Sequence, residues 1–312
     1  MGYYIGVDGG GTKTHFALFN ERRELLAEHK GPGSNHETLE GAFEDASEVI
    51  MQGVRALMEA AGISAVDFTL MGLAGIDHPF QYDLMRGKLE QKGLERFEIF
   101  NDGFLVVKAG SESGAAIGYN CGTGTCCNAI DSRGRILQLA GLGDFSGDVG
   151  SGPWIAVKTF RMIYDEVFLG MAKTALTQMV FSRFGLSNRE DFLALIPSLE
   201  TEKSEETLRQ FIDIFFEALN ADDPQALAVA REMAQRAAHL ISAHIRQLDF
   251  EGEAVEVVLA GSIHTKLPSG KYVEMIRELI PGMCGREARF RILDKAPVYG
   301  CINWILQDYI EK

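Results

Sequence analysis

The feature that most restricts the fold is a duplication. Residues 5–19 read IGVDGGGTKTHFALF, and residues 117–137 read IGYNCGTGTCCNAIDSRGRIL. Superposed without a gap at a spacing of 112 residues, Ile5 meets Ile117, Gly6 meets Gly118, Asp8 meets Asn120, Gly10 meets Gly122 and Leu25 meets Leu137. Each copy reads as strand, Gly/Thr turn, strand, polar turn, strand. Two later strands are echoed in the same order: LMGLAG at 70–75 by VVLAGS at 257–262, and RFEIFND at 96–102 by RFRILDK at 289–295.

Helices fill the gaps. Leu39, Phe43, Ala46, Ile50, Val54, Leu57 and Ala61 recur at three- and four-residue steps, which predicts an amphipathic helix over 38–61. A shorter helix is expected over 80–92. Each half therefore reads β-β-β-α-β-α-β-α, an α/β architecture. The second half carries a mostly helical insertion over about 151–249, in pieces near 152–184, 189–196, 204–220 and 223–248. Ser151 and Asp223 are candidate N-caps, with Pro153 and Pro224 in the first turns. A chain of 312 residues suits two domains, here 1–112 and 113–297, with the last helix, about 298–312, expected to pack back on the first.

The glycine turns are the candidate chemistry. Backbone amides of such turns cradle phosphate. Walker A geometry is excluded, because no Gly-Lys pair follows the glycines. A dinucleotide loop is excluded too, because THFALFN after the turn is β-rich and LLAEHK reads as a third strand. The glycines thus sit at a hairpin tip, where no long helix dipole helps. Gly9, Gly10 and Gly11 are expected there for their free backbone angles, with hydroxyls from Thr12 and Thr14. A second tip repeats this at residues 122–125. Two opposed turns would grip a polyphosphate from both sides in a cleft between the domains, and closure would exclude water.

Asp102 follows the apolar strand 96–100 and precedes a helix at 104–110, at a strand's carboxyl end where open sheets place ligands. It is a general-base candidate or a helix N-cap. Asp8, beside the first glycine turn, is either a turn residue or a carboxylate facing Mg²⁺ through water. Lys13 either meets phosphate or is a solvated turn residue.

Composition removes other classes. The formal net charge of −14 disfavours nucleic acid as a partner. No apolar run approaches the ~18 residues of a membrane span, and the opening MGYYIGVDGG lacks the pattern of a secretory leader. Five cysteines without a C-x-x-C fit a reduced cytoplasm and structural thiols, and the seven histidines show no metal-ligand spacing.

Taken in order, these motifs resemble the actin-like ATPase and sugar kinase superfamily, and within it the N-acetylglucosamine kinases and the BadF/BadG/BcrA/BcrD-type ATPases. The matching stretches are DGGGT at 8–12, Ser34-Asn35-His36, Asn101-Asp102, GTGT at 122–125, GLGDFSGDVGSGPWIA at 141–156, LAGS at 259–262 and PVYG at 297–300. The resemblance implies two ribonuclease-H-like domains with an interdomain nucleotide cleft, and transfer of the γ-phosphoryl of ATP to an amino sugar with Mg²⁺ present.

It implies Asp102 as the base, and Gly10, Gly11, Thr12, Lys13, Gly122, Thr123, Gly124 and Thr125 around the phosphates. Gly261 and Ser262 would meet the adenosine. Asn35, Asp77, Gly141, Leu142, Gly143 and Asp148 would meet the sugar, with a loop or helix-cap role open for Asn35, Asp77 and Asp148. Leu142 stands where these kinases tend to carry an aromatic, and Val149 where they carry an acid, so the kinase chemistry is better supported than the identity of the sugar. A homodimer is the family expectation. Two rivals remain: an ATP-driven activator carrying an iron–sulfur cluster, and a sugar sensor without turnover.

Overall fold

The computed structural model describes residues 2–200, 205–267 and 269–310. Residue 204 of the expected helix 204–220, the first residue of the expected first domain and the last two of the helix 298–312 lie outside them.

The first half forms β1 (Tyr3–Gly9), β2 (Lys13–Asn20), β3 (Leu25–Pro32), α1 (Ala42–Ala61), β4 (Phe68–Leu73), α2 (Pro79–Gln91), β5 (Phe97–Phe100) and α3 (Gly103–Gly110). Its five strands lie in the order β3-β2-β1-β4-β5. The second half gives β6 (Ala116–Cys121), β7 (Thr125–Ile130), β8 (Ile136–Ala140), β9 (Ala254–Ala260) and β10 (Glu287–Ile292). These lie in the order β10-β9-β6-β7-β8, which is the first sheet's order read from the other edge. The duplication is thus one of topology as well as of sequence.

In the first sheet, β1 runs antiparallel to β2 and parallel to β4, and β4 runs parallel to β5. A central strand is covered on both faces, and Tyr4 to Val7 are accordingly all buried. The register sets Asp8 level with Gly72 and Gly72 level with Phe100, so the ends of β1, β4 and β5 share one edge. On one face Ile5, Val7, Phe16 and Leu18 pack with Ile50, Val54 and Leu57 of α1.

By its contacts the chain falls into two compact units. The first comprises the residues through Gly118, Asn128–Leu137 and those from Leu293 onward; the second comprises Tyr119–Cys127 and Gln138–Ile292. Residues 113–118 and 128–137, counted with the second domain on sequence grounds, pack in the first unit. So does α12 (Tyr299–Ile305). Trp304 stacks on Phe100 with centroids 3.9 Å apart, and the buried Lys108 of α3 donates to Gln307 at 3.0 Å. Asn303 Nδ2 donates to the carbonyl of Lys108 at 2.9 Å.

Between β8 and β9 lie α4 (Gly152–Leu169), α5 (Ala175–Phe184), α6 (Arg189–Leu193), α7 (Ile196–Glu200), α8 (Glu205–Asn220) and α9 (Pro224–Gln247). The side chains of Ser151 and Asp223 cap α4 and α9, each with a proline in the first turn. The expected helix over 152–184 is two helices: Gly170, with φ of 67°, ends α4, and Thr174 caps α5. The expected start of α1 at residue 38 is also corrected. His36–Thr38 is a short 3-10 turn capped by Asn35, and α1 begins at Ala42. After β9 come α10 (Ser262–Thr265) and α11 (Gly270–Cys284).

Candidate active site

In the first unit the hairpin tip is residues 10–12, joined by a Gly10 N–H bond to the Lys13 carbonyl at 3.0 Å. Gly10 O accepts from the amides of Ser34 and Asn35, and Ala74 N–H donates to Gly9 O, so residues 33–35 and the end of β4 are tied to the tip. The reason for its glycines is corrected: none of Gly9, Gly10 and Gly11 takes a left-handed backbone. Gly9 is required by proximity, because a Cβ there would lie 2.4 Å from Ser34 Oγ and 2.7 Å from Leu73 Cδ2. A Cβ on Gly11 would meet open space, and Gly11, Thr12 and Lys13 are exposed. The Thr14 hydroxyl is not available to a ligand in this arrangement: it is buried, donating to Pro32 O at 2.8 Å and lying 2.9 Å from the Ser34 hydroxyl, from which it can accept.

Three acidic residues gather at the same edge. Burial, then the charge of Asp102, pushes Asp8 up to about 7 against the pull of Lys13. Burial, then the charge of Asp77, pushes Asp102 up to about 6. The amides of Gly103 and Asp102 draw that value down, but the carboxylate makes no cap bond to α3. The cap is provided by Asn101, whose Oδ1 accepts from Gly103 N–H at 2.9 Å. Asn101 Nδ2 in turn donates to Asp77 Oδ1 at 3.0 Å. Asp77 does not cap α2 either: His78 is the N-cap, and Gln81 Oε1 accepts from the amides of Asp77 and His78 at 2.9 and 2.8 Å. Asn35 Oδ1 accepts from Glu37 N–H at 2.9 Å, and a Cβ on Gly75 would fall 2.5 Å from that oxygen.

In the second unit, the tip 122–124 is closed by Gly122 N–H donating to Gly124 O at 2.9 Å. Gly152 N–H donates to Gly122 O at 2.7 Å, bringing the start of α4 to this turn. Thr123 and Gly124 are exposed, whereas Thr125 is buried with its hydroxyl 3.6 Å from Cys121 Sγ. Gly261 has φ of 83°, and a Cβ there would lie 2.2 Å from the Cys121 carbonyl, so the turn from β9 into α10 admits no side chain at that position.

Asp148 staples its own loop and caps no helix. It accepts from Gly141 N–H at 3.1 Å, Gly143 N–H at 2.9 Å and Ser146 Oγ at 2.6 Å. Arg236 of α9 holds the same loop from beneath through the carbonyls of Ser146 and Gly147. Leu142 is exposed and Phe145 entirely so.

The sequence matches the BadF/BadG/BcrA/BcrD ATPase family over residues 5–293. The chain belongs to this family. A relative from Clostridium acetobutylicum, an N-acetylmuramic acid/N-acetylglucosamine kinase, is 26% identical over 266 residues, 84% of this chain and 86% of that protein. The N-acetyl-D-glucosamine kinase of Dictyostelium discoideum is 25% identical, covering 80% of this chain and 81% of its own. The fold is shared with a solved structure from Chromobacterium violaceum described as a candidate N-acetylglucosamine kinase, at a TM-score of 0.66, 22% identity and coverage of 97% and 98%. It is that of the actin-like ATPase and sugar kinase superfamily, with two sheets of the same strand order.

This member of the BadF/BadG/BcrA/BcrD family holds more at the edge of β5 than its sequence announced. Asn128 of β7 is wholly buried and donates from Nδ2 to Asn101 Oδ1 at 3.1 Å. Nothing in the strand pattern marks it except its contrast with the first repeat, where the equivalent position is Phe16. Arg236 was likewise silent in the sequence, being one cation among many on a long helix. Among the described residues no three His, Cys, Asp or Glu side chains gather as a metal cage. The residues present nonetheless suit a hydrated cation: the charge of Asp102 raises the proton affinity of Asp8, and a divalent ion near Asp8 would relieve that repulsion.

Proposed function

We propose that this protein is an ATP-dependent kinase that phosphorylates a hydroxyl of an amino sugar of the N-acetylglucosamine or N-acetylmuramic acid class. The observation that carries the reading is Asp102. It stands at the carboxyl end of β5, its carboxylate does not cap α3, and its proton affinity is raised to about 6. A base titrating near neutral pH is suited to take a proton from an attacking hydroxyl. Membership of an ATPase family and two relatives that are amino-sugar kinases over four-fifths of their length support the same assignment.

Phosphoryl transfer is mostly a matter of position and charge. In this reading Gly10, Gly11, Thr12, Lys13, Gly122, Thr123, Gly124 and Thr125 are phosphate-binding residues for ATP. Gly261 and Ser262 meet the adenosine. Asn35, Asp77, Asp148 and the loop carrying Gly141, Leu142 and Gly143 orient the sugar. Asp8 would hold Mg²⁺ through water. That ion, when bound, neutralises phosphate charge. Asp102 accepts the hydroxyl proton. The reading also carries a cytoplasmic, homodimeric enzyme.

The test is a coupled ADP-release assay over N-acetylglucosamine, N-acetylmuramic acid, glucosamine and glucose, with and without Mg²⁺. Release that depends on an amino sugar supports the reading. Sugar binding by calorimetry without ADP release would replace it with a sensor. The cluster-carrying activator is disfavoured by the thiols: Cys121, Cys127 and Cys301 are buried, and Cys126 and Cys284 lie on separate elements, β7 and α11.

A further inference from the structure

We infer that Asn128 is a positioning residue for Asp102, acting through Asn101. This rests on the kinase reading above, in which Asp102 is the base.

The geometry is a chain of side-chain amides. Asn128 Nδ2 donates to Asn101 Oδ1 at 3.1 Å. That oxygen also accepts from Gly103 N–H at 2.9 Å, and the same side chain donates from Nδ2 to Asp77 Oδ1 at 3.0 Å. Asn101 is therefore held at three points, and Asp102 is the residue between two of the groups so held, Asn101 and the Gly103 amide. An aspartate ahead of a helix ordinarily swings round to cap it. Here Asn101 caps the helix through the Gly103 amide, an amide the Asp102 carboxylate also feels, and Asp102 itself makes no cap bond to α3. The amide chain thus keeps the carboxylate available.

Two further observations say that Asn128 is more than filler. Its side chain is wholly buried, yet its Oδ1 has no hydrogen-bond partner. A buried orphan carbonyl costs free energy, and an apolar residue would avoid the cost, as Phe16 does at the equivalent position of the first repeat. Gly103 is also shaped to receive it: a Cβ at that position would lie 2.5 Å from Asn128 Oδ1. The first residue of α3 and the middle of β7 are fitted to one another, and what the fit delivers is one hydrogen bond to Asn101.

The experiment compares wild type with Asn128→Leu and Asn128→Asp, measuring kcat, the KM for sugar and for ATP, and thermal unfolding, from pH 5 to 8. Loss of the donor is expected to lower kcat of the Leu variant by about 10- to 100-fold with KM for ATP within about twofold, since small misplacements of a reacting group have effects of that size. Asn128→Asp keeps the shape and regains a donor only when protonated. Its kcat relative to wild type should equal or exceed that of the Leu variant and climb as pH falls, or stand near wild type throughout if burial keeps it protonated. A purely structural role would give equal, pH-independent deficits in both variants. The inference is overturned by that result, by a folded Leu variant with kcat within about twofold of wild type, or by failure of both variants to fold, which would make Asn128 a residue of the fold alone. A wild type that turns over no sugar overturns the kinase reading instead.

Discussion

The carboxylates of Asp8 and Asp102 lie within each other's field. The charge of Asp102 is the second cause, after burial, that lifts Asp8 to about 7. Two acids held this way at the ends of β1 and β5 are costly to the fold in the free protein, and the cost is relieved by a proton or a cation.

The cation arm can be measured by thermal unfolding at pH 8. Mg²⁺ should raise the midpoint of the wild type, by up to about 3 kcal/mol at 100 times its dissociation constant. Asn in place of Asp8 should raise the midpoint without Mg²⁺ and abolish most of the response to it. Equal Mg²⁺ shifts in wild type and Asp8→Asn would remove Asp8 from the assignment.

Asp102→Asn should trade activity for stability. Turnover is expected to fall about 100-fold or more if Asp102 is the base. The folded value of about 6 stands above the ordinary 3.8, so the ionised carboxylate destabilises the fold at high pH. At 1.36 kcal/mol per unit the amide variant gains up to about 3 kcal/mol at pH 8. That gain is full above about pH 6, shrinks as pH falls, and is gone below about pH 3, where Asp102 is protonated in folded and unfolded chains alike. Denaturant midpoints across this range are the check; a gain that grew on acidification would contradict the burial.

Asp148→Ala removes three hydrogen bonds from the loop of residues 141–148. The KM for the sugar should rise about 10-fold or more, given that hydrogen bonds to charged groups contribute about 1.5–3 kcal/mol. The KM for ATP should stay within about twofold. Initial-rate kinetics with either substrate varied decide it, and a change confined to ATP would place Asp148 elsewhere.

Trp304→Ala should cost about 3–5 kcal/mol of stability, as buried aromatic truncations do. It removes the stack on Phe100 and the ring face 5.3 Å from Lys108 Nζ, leaving a buried ammonium with less around it. A loss under about 1 kcal/mol in chemical denaturation would mean α12 is loosely docked.

Strand topology was the most legible part of the sequence. Alternating β-rich runs, short turns and a repeat at 112 residues announced both sheets, because hairpins and buried strands are written locally. The breaks at Gly170 and ahead of Ala42 were less plain. Apolar periodicity runs through both, and only a left-handed glycine in one and an extended Leu39 followed by a positive φ at Ala42 in the other break the helix. Asp8, Asp77 and Asp102 were legible as candidates, since acids at strand ends have few structural duties. Asn128 was not. Its partners are far off in sequence, and a polar residue in an apolar strand looks like noise until the bond to Asn101 is seen. The glycines of the first tip were noticed for the wrong reason, because sequence shows that a side chain is missing but not what stands in its place.

The return of α12 to the first unit has a consequence for how the protein is made. A Cβ on Gly6 would lie 2.7 Å from that of Cys301, so the middle of β1 is built to receive a segment translated almost three hundred residues later. On the ribosome, all five strands of the first sheet emerge early and then wait with one side uncovered. A message cut short before Tyr299 would release a nearly complete yet sticky half-molecule, and quality control rather than loss of activity would be the first symptom.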